Sequence, residues 1–550
     1  MQHPSALKAA ATPGLDRQHL AGLRKVQLLA FLVLLCAGWA GCRCRPTPQP
    51  TQAPATPSLR LALVSTVAGA LEPCGCVKDM LGGVDHAAAY LRSQQGTPTL
   101  ALAAGPILFM DPELSPDRRT QDGWKAEALH NALGDMGVRA WAPGFNDFAA
   151  GSAELARIAA RAPETLAANV KAEGAGLKAH AVYSVGGLKV GVVGVSLPRR
   201  MGLPPAGVSA EDPVAALRRE VAALTQAGAV IKVALLAMPR GDALRALEAV
   251  PEFQVALLGK PLDQGETNDA LTPPSRIGQT LVIEGPNHLQ ALYVVDLFVR
   301  DGSYRFENAG AHSEQVSELD ARIAELSGRL VSAERQAGVR PEDLASRRQD
   351  LAELRGRRAE LLKNQERPQG SYYEARSVLV REELGKDQQV EARLGEYYRR
   401  VNEHNRVTFA DRVPAPVRKG ESAFVGIAQC GTCHAEEEAF WKTTGHAHAY
   451  ETLSSQSKEF NLDCVGCHVT GYNERGGSTV THVANLKSVQ CETCHGPGSR
   501  HIEEPKNREF IVAKPELGLC ASKCHHPPHV KEGWSAAEAL PKILGKGHGR

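Results

Sequence analysis

Between Val77 and Gln429 the chain has no cysteine, so no disulfide framework crosses its middle. It also lacks an excess of either charge: 63 lysines and arginines stand against 61 acidic residues, a formal net charge of +2. Without a large single-sign field, a dedicated nucleic-acid binder is excluded as a reading, and no nucleic-acid partner is expected. The N-terminal apolar run "VQLLAFLVLLCAGWAG", Val26 to Gly41, is short for a membrane-spanning helix, which needs about 20 apolar residues. What remains is ordinary: 43% hydrophobic and 23% charged residues over 550 positions describe a globular chain with room for two or more domains.

Arg24 and Lys25 precede that apolar run, and small residues end it before Cys42, which is the layout of a secretory signal. Trp39–Cys42, "WAGC", resembles a bacterial lipobox, with Trp39 where Leu is preferred. The resemblance implies lipidation of Cys42 and a membrane anchor; a plain signal peptide with an incidental cysteine is the alternative. Residues 1–41 are thus expected as a lipoprotein-type signal peptide and 42–58, rich in Pro and Thr, as an extended tether.

From Leu59 to about His312, near-continuous apolar runs such as "LRLALVST", "LKVGVVGVS" and "AVIKVALLA" alternate with helical stretches such as "PVAALRREVAALTQAG". Strands buried on both faces read this way, and the alternation predicts an α/β domain over 59–312. Next, Val316, Leu319, Ile323, Leu326 and Leu330, then Leu344, Leu351, Leu354 and Leu361, recur at helical spacing around a break at Gly338 and Pro341. This predicts a helical hairpin or coiled coil with Pro341 near the start of its second arm, or else a solvated charged spacer. With a further helix over Asp387–Asn405, the hairpin and connector occupy 313–405.

Eight of the thirteen cysteines fall in the last stretch, 406–550, in pairs each followed by histidine. "CGTCH" (Cys430, Cys433, His434), "CVGCH" (Cys464, Cys467, His468) and "CETCH" (Cys491, Cys494, His495) fit c-type haem attachment. Two thiols form thioethers to the porphyrin, and the adjacent histidine becomes the proximal iron ligand. A zinc ribbon also uses paired cysteines but has no reason to place His after every pair. In "CASKCHHPPHV" three residues separate Cys520 from Cys524, although His525 still follows directly. At i, i+4 both thiols can share one helical face, so a fourth haem is expected. A disulfide beside chance histidines, or a non-haem metal site using His525, His526 or His529, stays open. Candidates for distal iron ligands are His446, His448, His482, His501, His526 and His529; His548, in a Gly-rich tail, is set aside as a surface residue.

The stretches "QCGTCHAEEEAFWKTTGHAHAYETL", "LDCVGCHVTGYN" and "SVQCETCHGPGSRH" resemble the tetrahaem cytochrome c-554 family over roughly Phe424 to His529. That resemblance implies a mostly helical fold with haems in close pairs, a role in electron transfer, and His446 and His501 as axial ligands. It also implies a fourth haem at Cys520–His525, and it leaves room for one five-coordinate iron.

"LVSTVAGALEPCGCVKDMLGGVDHAAAYL", Leu63 to Leu91, with "WAPGFNDFAAG" and "LLGKPLDQ", resembles metallophosphoesterases of the 5′-nucleotidase type, more closely the exported subgroup carrying Glu-Pro-Cys-Gly-Cys. The implied fold is a four-layer α/β/β/α sandwich. Two-metal hydrolysis needs ligands that clamp phosphate and generate hydroxide. At the family's ligand positions this chain has Thr66, Ala68, Pro106, Phe145, Asn146, Pro239, Lys260 and Leu262, with only Asp147 kept. No divalent metal and no phosphoesterase activity are therefore expected. Cys74 and Cys76 are either a redox or metal pair or purely structural.

The expectation is an exported, periplasmic or cell-surface lipoprotein of a Gram-negative-type bacterium, a multihaem c-type cytochrome that passes electrons between unidentified redox partners. It would be a carrier rather than an enzyme, the α/β domain serving as scaffold or docking surface. The alternative is a haem enzyme acting on a nitrogen oxide or hydroxylamine at an open iron; a nucleotidase-like hydrolase comes last.

Overall fold

The computed structural model describes residues 56 to 548 apart from 74–79, 198–204, 263–269, 301, 311–314, scattered positions between 317 and 339, 364–367, 527–529, 531–533 and 546–547. The signal segment, Cys42, most of the tether, Cys74, Cys76 and His529 lie outside the described residues. Among the described residues no helix is long and apolar enough to cross a membrane.

The apolar runs become strands because each can bury both faces. In Leu59–Ser65, Leu61 and Leu63 point to one core while Ala62 and Val64 point to another. This strand pairs antiparallel with Ala291–Phe298, Leu59 opposite Leu297, and parallel with Thr99–Ala104, Arg60 opposite Thr99. The seven-stranded sheet around it runs, in spatial order, Glu307–Asn308, Tyr372–Leu379, Ala291–Phe298, Leu59–Ser65, Thr99–Ala104, Val138–Ala142 and Glu164–Thr165. A six-stranded sheet runs Ser275–Ile277, Thr280–Glu284, Val255–Gly259, Ile231–Ala237, Leu188–Ser196 and His180–Val185.

One core lies between the sheets, where Leu61, Leu63, Leu100 and Leu102 meet Val190, Val192, Val233 and Leu257. Helices cover the outer faces. Val84–Ser93, Arg119–Asp135 and Gln388–Thr408 pack on the first sheet, and Pro213–Gln226 and Arg240–Ala249 on the second. The result is the expected four-layer α/β/β/α sandwich. Asp212 caps its helix by accepting from Ala215 N at 2.8 Å with Pro213 in the first turn.

The domain boundary differs from the one read off the sequence. Tyr372–Leu379, assigned to the connector, pairs along its whole length with Ala291–Phe298, from Ala291 opposite Leu379 to Phe298 opposite Tyr372. The Gln388–Thr408 helix, capped by Asp387, then lays Val390, Leu394, Tyr397 and Val401 into the core of the first sheet. Both elements belong to the sandwich, because the edge of Ala291–Phe298 needs a hydrogen-bonding partner and the sheet's outer face needs cover. Only Pro341–Lys363 of the expected hairpin is described as a continuous helix; it begins at Pro341 as anticipated, and much of the first arm lies outside the described residues.

His130 sits fully buried on the sheet side of Arg119–Asp135, with its ring 6.0 Å from Trp141. Burial pushes its imidazole down to about 4 from the usual 6.5. The unfolded chain takes up a proton below about pH 6.5 that the folded chain refuses, so this stability is complete above that pH and is lost as pH falls toward 4. His130→Phe is expected to lose about 2 kcal/mol less stability than the native chain between pH 7 and pH 5, read from urea midpoints at the two pH values.

Candidate haem sites

After Thr408 the described helices are short, none longer than the seven residues of Ala435–Trp441, and the apolar cluster there is small: Phe409, Tyr450, Val465, Val469, Val480 and Val483. Helix is present as expected, but in pieces of one or two turns separated by irregular backbone. So small a side-chain core leaves space and apolar need for large prosthetic groups. None of the eight described cysteines forms a disulfide.

Local backbone geometry sets each motif. In the first, the N–H groups of Cys433 and His434 donate to the Cys430 carbonyl at 3.2 and 2.9 Å, one tight turn that aims both thiols and the imidazole from a single loop. The third, Cys491–His495, is itself a helical turn. In the fourth, Gly518–Lys523 is helical, and Cys524 N and His525 N donate to the Cys520 carbonyl at 3.2 and 2.8 Å. His525 therefore returns to the same carbonyl five residues back that His434 reaches four back. A wider turn absorbs the additional residue and restores the relation between first cysteine and histidine.

Three histidine pairs carry the clearest signal. The His434 and His501 ring centroids are 6.4 Å apart, those of His446 and His525 6.2 Å, and those of His495 and His548 6.4 Å. Two imidazoles on opposite sides of one metal, with bonds of about 2.0–2.1 Å and ring nitrogens about 1.1 Å from each centroid, stand about 6.3 Å apart. The pairs fit an iron between them, and each contains one histidine from a cysteine motif. His501 Nδ1 is buried without a hydrogen-bond partner, the condition of a nitrogen reserved for a metal. On the proximal side, His495 Nδ1 donates to Val512 O at 2.6 Å and His468 Nδ1 to Ala449 O at 2.5 Å. Such bonds fix the tautomer and leave Nε2 for the iron.

His446 and His501 thus stand opposite motif histidines. His448 is committed elsewhere, with Nδ1 3.3 Å from Glu451 and Nε2 3.2 Å from Lys442 O. His482 Nδ1 lies 3.1 Å from Thr481 Oγ1, and no motif histidine faces its ring among the described ring contacts. His548, set aside from the sequence, faces His495. The tail is held because Gly545 packs on Phe440, where a Cβ would come within 2.9 Å of the ring. A single histidine near Gly residues gives no sequence signal for such a contact.

The cysteine pairs also meet each other. The Cys430 thiol is pushed up by its hydrogen bond to Cys491 and by burial, and Cys524 likewise by Cys467. The first and third motifs therefore adjoin, as do the second and fourth. The second motif is further tied to the sandwich. Asp463, next to Cys464, pairs with Arg118 and with Lys125 at 2.9 Å, while Gln121 Oε1 accepts from Leu462 N at 3.0 Å. Burial would raise the Asp463 carboxyl, but Lys125 and Arg118 outweigh it and hold it far below the usual carboxylate range.

At the strand ends of the sandwich, Asn146 and Asp147, two of the positions that the resemblance matches to phosphoesterase ligands, are turned inward, while Pro239 is exposed. Asp147 accepts from Ile107 N, Leu108 N and Gly144 N at 2.9, 2.6 and 2.7 Å, and burial pushes its carboxyl up to about 7 against their pull. Asn146 Nδ2 donates to Met110 O and Leu262 O at 2.6 and 2.9 Å. The backbones close on one another: a Cβ on Gly259 would lie 1.9 Å from Gly105 O. Among the described residues no cluster of three or more His, Cys, Asp or Glu could hold a metal ion there. These residues do not fit a two-metal centre.

Residues 429–496 match the family model "Cytochrome c554 and c-prime". A curated relative, cytochrome c-554 of Nitrosomonas europaea, is 36% identical over 94 residues, 14% of this chain and 40% of the relative, so the chain spans well under half of that protein's length. Among solved structures, a 5′-nucleotidase precursor from Thermus thermophilus is similar with a TM-score of 0.42 and 17% identity, covering 68% of this chain and 62% of that one. The calcineurin-like phosphoesterase YfkN from Bacillus subtilis gives 0.37 and 15%, covering 44% and 86%.

Asp463→Asn is expected to cost about 1–3 kcal/mol at pH 7, because Arg118 and Lys125 keep their charges without the carboxylate. The Asp463 carboxyl is held low in the fold, so the pairing stabilises above about pH 4 and is lost as pH falls below it. The gap between variant and native melting temperatures should accordingly narrow between pH 7 and pH 3.

Proposed function

We propose that the chain is an exported multihaem c-type cytochrome that moves electrons through four haems. The observation that carries this is the set of three histidine pairs separated by 6.2 to 6.4 Å, each anchored on a cysteine motif. Cys430 and Cys433, Cys464 and Cys467, Cys491 and Cys494, and Cys520 and Cys524 would hold the haems by thioethers. His434 with His501, His495 with His548, and His525 with His446 would supply axial ligands to three of them, and His468 the proximal ligand of the other. Bound haem supplies reversible one-electron exchange at iron. The chain's own part is to place the attachment points in adjoining pairs, to orient imidazoles through the carbonyls of Val512 and Ala449, and to keep water from the buried ring nitrogens.

On this reading the chain is periplasmic or at the cell surface, is held to a membrane through a lipid at Cys42, and exchanges electrons with protein partners. The sandwich hydrolyses no phosphate ester, because Asn146 and Asp147 are spent on backbone groups and the aligned Thr66, Ala68 and Pro106 offer no carboxylate or imidazole. Phosphodiester or nucleotide turnover that depends on added manganese would overturn this. A second reading, haem-based chemistry on a small nitrogen compound, has one observation behind it. A cavity of about 460 Å³ lined by Tyr450, Phe460, Lys487 and Ser488 adjoins the second motif, where Ser488 N donates to His468 O.

The mature protein should carry four haems by mass. His434, His495 and His525 each lose an opposing ligand in His501→Ala, His548→Ala and His446→Ala, so each variant should convert one haem from low to high spin in the EPR spectrum. His448→Ala and His482→Ala should leave the spectrum unchanged. A His548→Ala spectrum identical to the native one would remove the pairing with His495.

A further inference from the structure

The sandwich and its covering helix touch the cytochrome part most densely at one place, the segment that leads into Cys464. Besides the Asp463 and Leu462 contacts above, Asn405 Nδ2 donates to Phe460 O at 2.9 Å and Asn402 accepts from Phe460 N at 2.9 Å. Lys458 Nζ donates to Glu72 Oε2 at 2.7 Å, an ion pair across the two parts with both side chains mostly buried. Lys458 also lies 4.2 Å from the centre of the Tyr398 ring. The Tyr398 hydroxyl is hydrogen-bonded to Glu72, and two backbone turns join the pair to the motif: Asn461 N donates to Lys458 O and Cys464 N to Asn461 O, both at 3.0 Å.

We infer that the sandwich sets the electronic environment of the haem on Cys464 and Cys467, with Glu72 and Lys458 as the positioning charges. The inference rests on the four-haem reading. Its physical ground is that a haem's potential answers to burial, hydrogen bonding and nearby charge as well as to its axial ligands. A mostly buried pair is poorly screened, so each of its charges acts across the two turns that separate Lys458 from Cys464. Gaining an electron is disfavoured beside Glu72 and favoured beside Lys458, and the native pair balances the two. The other groups facing this pair are Lys386, which acts on Glu72 from the loop before the Gln388–Thr408 helix, and the Asp463, Arg118, Lys125 and Asp122 network nearer Cys464. Among the described ion pairs, those joining the sandwich to residues after Thr408 are Glu72–Lys458, Arg118–Asp463, Lys125–Asp463 and Asp117–Arg412, and none falls beside another cysteine motif.

The test is a potentiometric titration of the holoprotein followed haem by haem. Glu72→Gln should move one midpoint to a higher potential, Lys458→Met should move the same midpoint lower, and the double variant should return close to the native value. The other three midpoints should stay in place. Loss of packing alone cannot produce opposite signs that cancel. Shifts of the same sign, or shifts spread over several haems, or none, would overturn the inference. Haem content and EPR of each variant separate the two levels: fewer than four haems in the native protein defeats the four-haem reading, whereas four reversible haems with unmoved midpoints defeats this inference alone.

Discussion

The segment after Thr408 buries too few apolar side chains to hold its own shape. Everything else about this part of the molecule follows from that shortage. Its apolar cluster centres on Val465, Val469 and Val480, while most of its order comes from hydrogen bonds made one turn at a time. Glu492 illustrates the substitute. Buried within the third motif, it accepts from the backbone N–H groups of Val425, Gly426 and Gly498 and so ties the start of the module to its middle. A buried carboxylate with several such donors is well compensated, which is the condition for keeping a charge inside. The histidine pairs also bring distant parts of the chain together: His501 faces His434, His446 faces His525, and the C-terminal His548 faces His495.

The sandwich has the opposite character. Its strands bury both faces, its cores are continuous, and its polar groups at the strand ends are consumed internally. Where a two-metal hydrolase would need an open, metal-lined cleft, Gly105, Gly144 and Gly259 let backbones approach so closely that no side chain could stand between them. Its polar contacts with the rest of the chain lie on its flank. Arg118, Gln121 and Lys125, at or on one helix, and Asn402 and Asn405 on another, all reach the residues just before Cys464.

Much of this is legible in the residues. The apolar runs of 59–312 are strands because the pattern that marks a doubly buried strand is local. The three Cys-x-x-Cys-His motifs are turns because their spacing is local too. The strand Tyr372–Leu379 escapes such a reading because Glu374, Arg376 and Ser377 break any apolar alternation along it; it is a strand only because Ala291–Phe298 offers it an edge. His548 escapes for a similar reason, since its partner lies far away in sequence and only the packing of Gly545 on Phe440 brings it there.

Two kinds of building block, the doubly buried strand and the cysteine–histidine turn, are settled by the order of residues alone, because both are written in contacts a few residues long. The lack of carboxylates and imidazoles at most of the aligned phosphoesterase positions is settled there too, being a matter of side-chain chemistry. Which histidine faces which, how the fourth motif absorbs its inserted residue, and the meeting of Glu72 with Lys458 emerge only in the folded molecule. The first and last of these depend on segments tens to hundreds of residues apart arriving within a few ångströms. That proximity is produced by the packing of whole elements, which no local spacing encodes.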